Sequence, residues 1–534
     1  RVQDDGTPAR PSVRDGLNDF NFWGGDPDEA ARRRRIDEHF RYTASHRVCP
    51  VDAAFQTDRV VCSGAAVETY EPRFVYHGFR YAVVKGLRQA PKPEDAVACV
   101  IHTAFPTIGS FACSDATFNA LMEMGDKAYR GNFVDGVPTD CPHREKNGWT
   151  GDASIASELA QYLFENTAAY EKWLRDLLDA QLPDGNLPGI VPSSGWGYHW
   201  GNGAGWDSAL PVIAWNLWTY RGDRRILDEI YPALVKYLAY TAAKADADGL
   251  VKHGLGDWVP VNRAHMPSTL FTSSCYYYQA QRIAAEIAAL KGLSAEAAQW
   301  NAKAAKTRAG LNRRLYKGDG VYDNGGQTAQ AMALAFGLVE EATRAKVEAQ
   351  LVAAVGKAGD HLDVGLYGTK HLFRALSRMG RTDLAFKLIV NPTKPSMAEW
   401  VQKGGTTLWE DWGDGSSRNH IMFGDFVGWA YQYLAGIRPA ETKDSTSAVT
   451  CAKKPAFGEV VLAPQPIAAL SWARASVDGP NGEIVSSWRR EGDTVTYDFT
   501  VPPNTVAVIR LPGAAPKRVG SGRHTFAVPA HVAP

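Results

Sequence analysis

Residues 166–178 read NTAAYEKWLRDLL, in which Tyr170, Trp173, Leu174 and Leu177 recur with the spacing i, i+3, i+4 and i+7. That spacing places large apolar side chains on one face of a helix. The Asn at the start of the stretch can cap such a helix. The pattern predicts an amphipathic helix whose apolar face packs against other helices.

The same helical period continues on both sides of this stretch, from about 112 to 437. Twelve segments joined by Gly-, Pro- and Trp-rich loops suit two concentric rings of six helices, which is an (α/α)6 barrel. The predicted helices lie near 114–128, 151–164, 166–178, 208–222, 224–246, 274–290, 294–315, 327–336, 340–358, 367–379, 381–390 and 425–434.

The flanking regions have a strand-like pattern. Short β-rich runs such as Val60–Cys62 occur between about 45 and 108, and runs such as Thr494–Phe499 return after 455. A short helix is predicted near Asp26–Glu29. The predicted fold is therefore mainly α with β accessory domains. The predicted domains are a reduced N-terminal β-sandwich with a short helix over 1–110, the (α/α)6 barrel over 111–440 and a C-terminal antiparallel β-sandwich over 441–534.

Composition excludes several classes of function. Lys and Arg together number 58, as do Asp and Glu, so the net charge of zero gives no reason to expect nucleic acid or an anionic membrane as a partner. No apolar run approaches the roughly 20 residues that span a bilayer. The sequence predicts a soluble protein. It leaves open the bacterial cytoplasm, or a periplasmic or secreted location after removal of a signal peptide, and a homodimer as the assembly.

The seven cysteines are scattered and form no CxxC pair, which argues against a disulfide framework or a zinc site. They are predicted to be buried thiols. The 13 histidines show no metal-binding spacing such as HExxH. We therefore expect no cofactor and no catalytic metal.

Charged and aromatic residues are most concentrated over 135–152, between the first two predicted barrel helices. This stretch contains Asp140, Arg144, Glu145, Trp149 and Asp152. Burying so many charges in a packing loop would be costly, because each would need a partner. The stretch is predicted to carry catalytic residues, although a surface cluster of salt bridges remains the alternative.

A second concentration, late in the barrel, is Gly404–Gly415, where Trp409 and Trp412 flank Glu410 and Asp411. Further loops place a Trp beside an Asp. Loops at one end of a barrel converge, so these form a pocket lined by rings and carboxylates. Acetal hydrolysis needs such a pocket, because one carboxylic acid protonates the leaving oxygen and one carboxylate activates water or attacks. The Trp–Asp loops contain Trp206, Asp207, Asp257 and Trp258.

These segments resemble the α-L-rhamnosidases, a large bacterial and fungal group of inverting glycoside hydrolases. Asp140–Asp152 resembles the loop that bears their general acid, in a short form with the Glu five positions after Asp140. Gly404–Glu410 resembles the loop that bears their general base, and Asn419-His420 the pair that follows it. Tyr70–Tyr81 resembles the sandwich edge that precedes the barrel. The resemblance extends over roughly 58–512.

The resemblance implies a role for each residue of the site. Glu145 would be the general acid and Glu410 the general base, in hydrolysis of terminal α-L-rhamnose from glycosides or oligosaccharides with inversion. The other implied roles concern the sugar. Asp140 and Asp152 would bind rhamnose hydroxyls and tune the pKa of the acid, and Arg144 would hold one of these two carboxylates in place. His420 would form a hydrogen bond with a hydroxyl, and the walls of the sugar site would be Trp149, Trp206 and Trp409. Asp207, Asp257 and Trp258 are further candidates for substrate binding, with packing as the alternative for Trp206 and Trp258.

Two other hypotheses remain open. A polysaccharide lyase or another glycosidase could use the same barrel, and in a lyase Arg144 would neutralise a carboxylate while His420 served as base. A non-catalytic sugar-binding protein could also have this pocket, although it would not need both Glu145 and Glu410.

The family usually has one or two complete sandwich domains before the barrel, whereas only about 110 residues precede it here.

Overall fold

The computed structural model describes residues 58–78, 82, 84–143, 145–193, 197–413, 416–443 and 445–530. Helices dominate from Ala116 to Leu434, as the sequence predicts. They are α1 (Ala116–Gly131), α2 (Thr150–Leu163), α3 (Thr167–Ala180), α4 (Ala204–Asp207), α5 (Ala209–Arg221), α6 (Arg225–Ala242), α7 (Thr269–Leu290), α8 (Ser294–Leu315), α9 (Gln327–Ala335), α10 (Arg344–Lys357), α11 (Leu366–Arg378), α12 (Thr382–Val390), α13 (Ala398–Gln402) and α14 (Phe426–Trp429), which continues as a π-helical segment to Leu434.

Burial alternates between successive long helices. Every residue of α2 is buried, whereas α3 buries only Tyr170, Trp173, Leu174 and Leu177. A helix that is buried on all sides lies inside the protein, and a helix with one apolar stripe lies on its outside. The short helices α4 and α12 are also fully or mostly buried. The inner helices, which are buried over all or most of their length, are α2, α5, α7, α9, α11 and α14 with its π-helical extension.

These six inner helices form a closed ring. Each contacts the next one in chain order, and α14 returns to contact α2. An outer helix follows each of the first five, and α1 precedes the first. The predicted (α/α)6 barrel is therefore confirmed, with all twelve predicted helices present and α4 and α13 as short additions.

A small sheet interrupts the predicted all-helical span. Strands β2 (Phe133–Val134) and β3 (Val137–Pro138) pair as a hairpin between α1 and α2. Asp135 and Gly136 connect them with φ values of 53° and 71°. Two left-handed residues give the turn that suits a two-residue hairpin, and Asp-Gly is a favoured sequence for it. Only helices and loops were predicted over this span, because this turn was not recognised.

The caps of α1 and α3 differ. At α1 the cap is Asp115, whose Oδ1 accepts a hydrogen bond of 2.7 Å from the N–H of Phe118. The predicted cap of α3, Asn166, occupies the cap position but makes no capping hydrogen bond. Its Oδ1 accepts from the Gln161 side chain at 3.2 Å and its amide donates to the Tyr129 hydroxyl at 2.9 Å, so the side chain binds other helices instead.

Two sheets follow the barrel. The first has the strand order β1-β6-β7-β8-β11 and the second the order β10-β9-β5-β4. All pairs are antiparallel except β5 with β9, which is parallel, so the prediction of a purely antiparallel arrangement was wrong at that pair. The strands are β1 (Gly109–Cys113), β4 (Ile437–Pro439), β5 (Glu459–Leu462), β6 (Trp472–Gly479), β7 (Gly482–Glu491), β8 (Thr494–Val501), β9 (Val506–Ile509), β10 (Lys517–Val519) and β11 (Gly522–Pro529).

The region before the barrel differs from the sequence-based expectation. Among the described residues before Gly109 there is no strand, and Val60–Cys62 is not part of a sheet. The helix predicted near Asp26–Glu29 lies outside the described residues. Strand β1 pairs with β6 of the C-terminal sheet and not with an N-terminal one.

Candidate active site

The site lies where the inner helices begin. Because each outer helix carries the chain back, successive inner helices run in the same direction, and the loops before them meet at one end of the barrel. The loop predicted to bear the acid, residues 139–149 and called the acid-bearing loop below, leads into α2. The loop predicted to bear the base, residues 404–420 and called the base-bearing loop below, leads towards α14. Helix N-termini favour nearby negative charge, so this end of the barrel suits a group of carboxylates.

Glu145 is held by its own loop. The indole Nε1 of Trp149 donates a hydrogen bond of 3.0 Å to Glu145 Oε2. The backbone N–H of Glu145 donates to the sulfur of Cys141 at 3.3 Å. Both the carboxylate and the backbone of Glu145 are thus oriented by residues four positions away, which limits the directions in which its side chain can point.

Asp140 is buried beside Glu145, with 2% of its surface exposed. Its Oδ1 accepts a hydrogen bond of 3.1 Å from the N–H of Asn147, and its Oδ2 accepts one of 3.3 Å from the Cys141 thiol. Sequence reasoning treated Cys141 as one more buried thiol and missed this contact. Its position between Asp140 and Glu145 was the available signal. The prediction of burial is wrong for Cys62 and Cys99, which are exposed.

His420 and Asp152 form a buried pair, with Nε2 of the imidazole 3.0 Å from Asp152 Oδ1. Burial by itself would lower the pKa of His420. The close contact with Asp152 and the negative charges of Glu410, Asp152 and Asp140 outweigh burial and raise the pKa of His420 to about 9. The imidazole therefore carries a proton at neutral pH.

Glu410 is held within the base-bearing loop. Its N–H donates to the carbonyl of Ser417 at 2.8 Å, and the N–H of Ser417 donates to Glu410 Oε2 at 2.9 Å. The N–H of His420 donates to the carbonyl of Leu408 at 2.9 Å. Asp140 and Cys141 of the acid-bearing loop each place one side-chain atom within 4.8 Å of a ring nitrogen of His420, so the two loops meet around this histidine.

Two of the predicted wall tryptophans are buried. Trp206 and Trp409 are each 2% exposed. Trp206 packs on Gly151, where an added Cβ would lie 2.5 Å from the indole, and makes an edge contact with Tyr367. Trp409 stacks with Trp400 at a centroid distance of 6.2 Å. Packing contacts therefore cover most of the surface of both indole rings. For Trp206, packing was the alternative to substrate binding. By contrast, Trp149 and Trp258 are only half-buried.

Asp207 and Asp257 bind backbone groups. Asp207 Oδ1 accepts a hydrogen bond of 3.1 Å from the N–H of Gly203, and burial raises the pKa of this carboxyl well above its usual range. Asp257 caps the start of α11, because it accepts from the N–H groups of Gly365 and Tyr367 at 2.9 and 2.7 Å. The Thr328 hydroxyl also donates to Asp257 at 2.6 Å. Its contacts are those of a helix cap. Arg144 lies outside the described residues.

One group of side chains could hold a metal ion. Within the part of the chain that the structure describes, Asp140, Cys141 and His420 each place one ligand atom within 4.8 Å of the others. A soft divalent cation accepts this donor set. Each of the three already has a partner within the site, and the absence of a catalytic metal stays a prediction.

No helix of the described residues is long and apolar enough to cross a membrane.

The paired His420 gives a prediction about stability. The pKa of His420 is about 9 in the folded state and about 6.5 in the unfolded state, so the protonated imidazole stabilises the fold. This contribution is fully present below pH 6.5 and is lost as the pH rises through 9. We expect the difference in the free energy of unfolding between wild type and His420→Gln to fall by roughly 3 kcal/mol from pH 6.5 to pH 9. Urea unfolding followed by tryptophan fluorescence at several pH values measures it. A difference that stays constant over this range contradicts the prediction, and Asp152→Asn is the control that should weaken the dependence.

Comparison with known proteins finds one family over most of the chain. Three family models match in order: the bacterial alpha-L-rhamnosidase concanavalin-like domain over 36–102, the bacterial alpha-L-rhamnosidase 6 hairpin glycosidase domain over 106–434 and the bacterial alpha-L-rhamnosidase C-terminal domain over 449–526. The reduced β-sandwich predicted over 1–110 stays a prediction, and of the strands expected between about 45 and 108 none is seen in the described residues of that region.

Individual relatives match at moderate identity. An alpha-L-rhamnosidase of Streptomyces avermitilis is 32% identical over 500 residues, which cover 91% of this chain and 46% of that protein. One from Formosa agariphila is 29% identical over 494 residues, covering 88% of this chain and 51% of that protein. The crystal structure of the Streptomyces avermitilis alpha-L-rhamnosidase complexed with L-rhamnose has a TM-score of 0.79 at 31% identity, with 88% of this chain and 46% of that chain covered.

The chain spans about half the length of the curated relatives it matches. The glycosidase-domain match alone covers well over half of this chain and coincides with the closed ring of six inner helices and its loops. The chain therefore belongs to the bacterial alpha-L-rhamnosidase family of six-hairpin glycosidases.

Proposed function

We propose that the protein hydrolyses terminal α-L-rhamnosides with inversion, with Glu145 as general acid and Glu410 as general base. The observation that carries the proposal is the meeting of the two loops around His420, which brings one carboxyl group from each loop to the same end of the barrel. Inverting glycosidases use such a pair, with roughly 6.5–9.5 Å between the carboxyl groups to admit a water molecule.

The surrounding contacts suit these two roles. Trp149 holds Oε2 of Glu145, so that the other carboxyl oxygen can face the glycosidic oxygen. The N–H of Ser417 holds Oε2 of Glu410, which orients the carboxylate that takes a proton from the attacking water. Asp140, Asp152 and the protonated His420 supply buried acceptors and a donor for sugar hydroxyls.

The first measurement is the anomer released. The enzyme is incubated with p-nitrophenyl α-L-rhamnoside, and proton NMR spectra are recorded before the product mutarotates. Inversion predicts that β-L-rhamnose appears first and then equilibrates. Initial release of α-L-rhamnose overturns the assigned mechanism, and no hydrolysis of this or other α-L-rhamnosides overturns the proposed activity.

The contacts weigh against the lyase hypothesis, which gave His420 the role of base. A base must be unprotonated, whereas the pKa of His420 is raised to about 9 by its carboxylate neighbours. An unsaturated product absorbing in the ultraviolet would favour the lyase.

A further inference from the structure

We propose that Asn132 is a positioning residue that sets the separation between the general acid and the general base, by tying the base-bearing loop to the start of the acid-bearing loop. The inference rests on the proposed function, because it uses the roles given above to Glu145 and Glu410. Asn132 directly follows α1 and is 2% exposed. It is absent from the residues that the sequence suggested as a site.

The main chain of Asn132 holds the acid-bearing loop. Its carbonyl accepts a hydrogen bond of 2.7 Å from the N–H of Thr139, at the residue where that loop begins. The next residue is Asp140, whose N–H donates to the carbonyl of Asn147 at 3.0 Å and whose Oδ1 accepts from the N–H of Asn147 at 3.1 Å. The loop that contains Glu145 is thereby closed on itself and fixed to the end of α1.

The side chain of Asn132 holds the base-bearing loop. Its amide nitrogen donates a hydrogen bond of 2.9 Å to Oδ1 of Asn419. The N–H of Asn419 donates to the hydroxyl of Ser417 at 3.2 Å, and the N–H of Ser417 donates to Oε2 of Glu410 at 2.9 Å. A chain of hydrogen bonds therefore leads from Asn132 to the carboxylate of the base. Asn132, Asn419 and Ser417 are called the loop tie below.

The amide of Asn132 does more than end its own helix. Its nitrogen also donates to the carbonyl of Ala128 at 2.9 Å, in the last turn of α1. Its Oδ1 is buried, and no donor among the described residues bonds to it. A buried acceptor without a donor costs free energy, and a helix can end without a side-chain amide. The bond to Asn419 gives the amide a role beyond the helix end.

The residue before Asn132 leaves room for the loop tie. A Cβ added to Gly131 would lie 2.9 Å from the side-chain nitrogen of Asn419, which is closer than such atoms normally approach. Gly131 ends α1 with a φ outside the left-handed region, so its backbone does not require glycine. The missing side chain is needed instead to admit Asn419.

The separation between the loops matters because each of them carries one of the two carboxyl groups. An inverting glycosidase needs room for a water molecule at its base. Displacement of a reacting group by about 1 Å can reduce the rate by about 10²-fold. The loop tie joins the two loops by a route that contains none of the groups proposed to bind the sugar. Its loss should therefore affect the rate more than the affinity.

Asn132→Ala removes the bond to Asn419 and keeps the main-chain carbonyl that binds Thr139. We expect kcat to fall by about 10–100-fold on methyl and p-nitrophenyl α-L-rhamnoside alike, because only the base is displaced. KM should stay within about threefold, since no group proposed to bind the sugar is removed. A clearly greater loss on the methyl glycoside would assign the effect to the acid, and an unchanged kcat would mean that the tie has no function. Either result overturns the proposal.

The matched control is Asn166→Ala. Asn166 is also a buried amide beside a helix end and is bonded to Gln161 and Tyr129, but it follows the end of α2, whereas the site lies where α2 begins. We expect Asn166→Ala to lower the urea midpoint of unfolding and to keep the wild-type kcat. If Asn166→Ala lowers kcat as much as Asn132→Ala does, the effect is one of stability and the proposal fails.

Gly131→Ala disturbs the loop tie without removing a hydrogen-bonding group. Alanine suits a helix better than glycine, so α1 itself is not weakened. The added methyl group should displace Asn419 and lower kcat by about tenfold. Gly356→Ala is the control, because a Cβ at that position of α10 would meet nothing within 4 Å, and it should keep the wild-type kcat. A wild-type kcat in Gly131→Ala contradicts the proposal.

Hydrogen exchange followed by mass spectrometry separates this inference from the proposed activity. Asn132→Ala should speed exchange in peptides from 404–420 and leave peptides from 139–149 at the wild-type rate. If wild type hydrolyses no α-L-rhamnoside but this difference appears, the proposed function fails and the loop tie stands. Unchanged exchange over 404–420 overturns the loop tie, whatever the activity of the protein.

Discussion

Replacing Glu145 with Gln is expected to slow hydrolysis of methyl α-L-rhamnoside by about 10²–10⁴-fold. Methoxide is a poor leaving group and needs a proton as the bond breaks. A p-nitrophenolate leaves with little protonation, so the loss on the aryl glycoside should be at least tenfold smaller. Steady-state kinetics on the two substrates measure the difference.

Glu410→Gln is the matched control, because the base acts on water and not on the leaving group. We expect it to reduce kcat for both substrates by similar factors. If Glu145→Gln reduces both rates equally, Glu145 is not the acid, and the role passes to Asp140 or Asp152. Fluorescence spectra should show that both variants retain the wild-type fold.

Lys370→Met is expected to destabilise the protein by about 3–5 kcal/mol, since it breaks a buried ion network. Lys370 Nζ lies 3.0 Å from Glu158 Oε2 and 2.6 Å from Asp425 Oδ1, and Arg374 binds the same two carboxylates. Two cations balance two anions inside the ring of inner helices. Removing one cation leaves a buried negative charge without compensation.

Urea unfolding measures this loss. The control is Lys387→Met, whose ion pair with Asp360 is exposed and should be worth less than about 1 kcal/mol.

Burial opposes ionisation of Glu158, but Arg374 and Lys370 outweigh burial and hold its pKa well below the usual range. Its contribution is therefore present above the unfolded pKa of about 4.3 and is lost as the pH falls further. Equal losses for the two lysine variants would contradict the assignment.

The sequence predicted the barrel well because helical periodicity is a local signal. The stripe in α3 repeats often enough to define the helix without knowledge of its neighbours. The inner helix α2 was harder to interpret, since its buried Asp152 and Glu158 resemble surface residues until their partners on α11 and the base-bearing loop are known.

The candidate site was predicted less completely. Asp257 was proposed as a sugar ligand because an Asp next to a Trp in a loop suggested a pocket. The hydrogen-bond donors to the carboxylate of Asp257 lie in residues 328 and 365–368. These residues are far away in sequence, and no local pattern connects them to Asp257.

Strand β1 has a consequence for how the polypeptide reaches its native state during synthesis. It stands immediately before the barrel, yet its partner β6 lies far along the chain, as the contact between Ser110 and Ser476 illustrates. The entire barrel must therefore be synthesised before this entry strand can pair. Trp488 likewise donates a hydrogen bond to the carbonyl of Leu434 at the end of the last inner helix. Contacts so distant in sequence form slowly, so the sheet that contains β1 is completed late in folding.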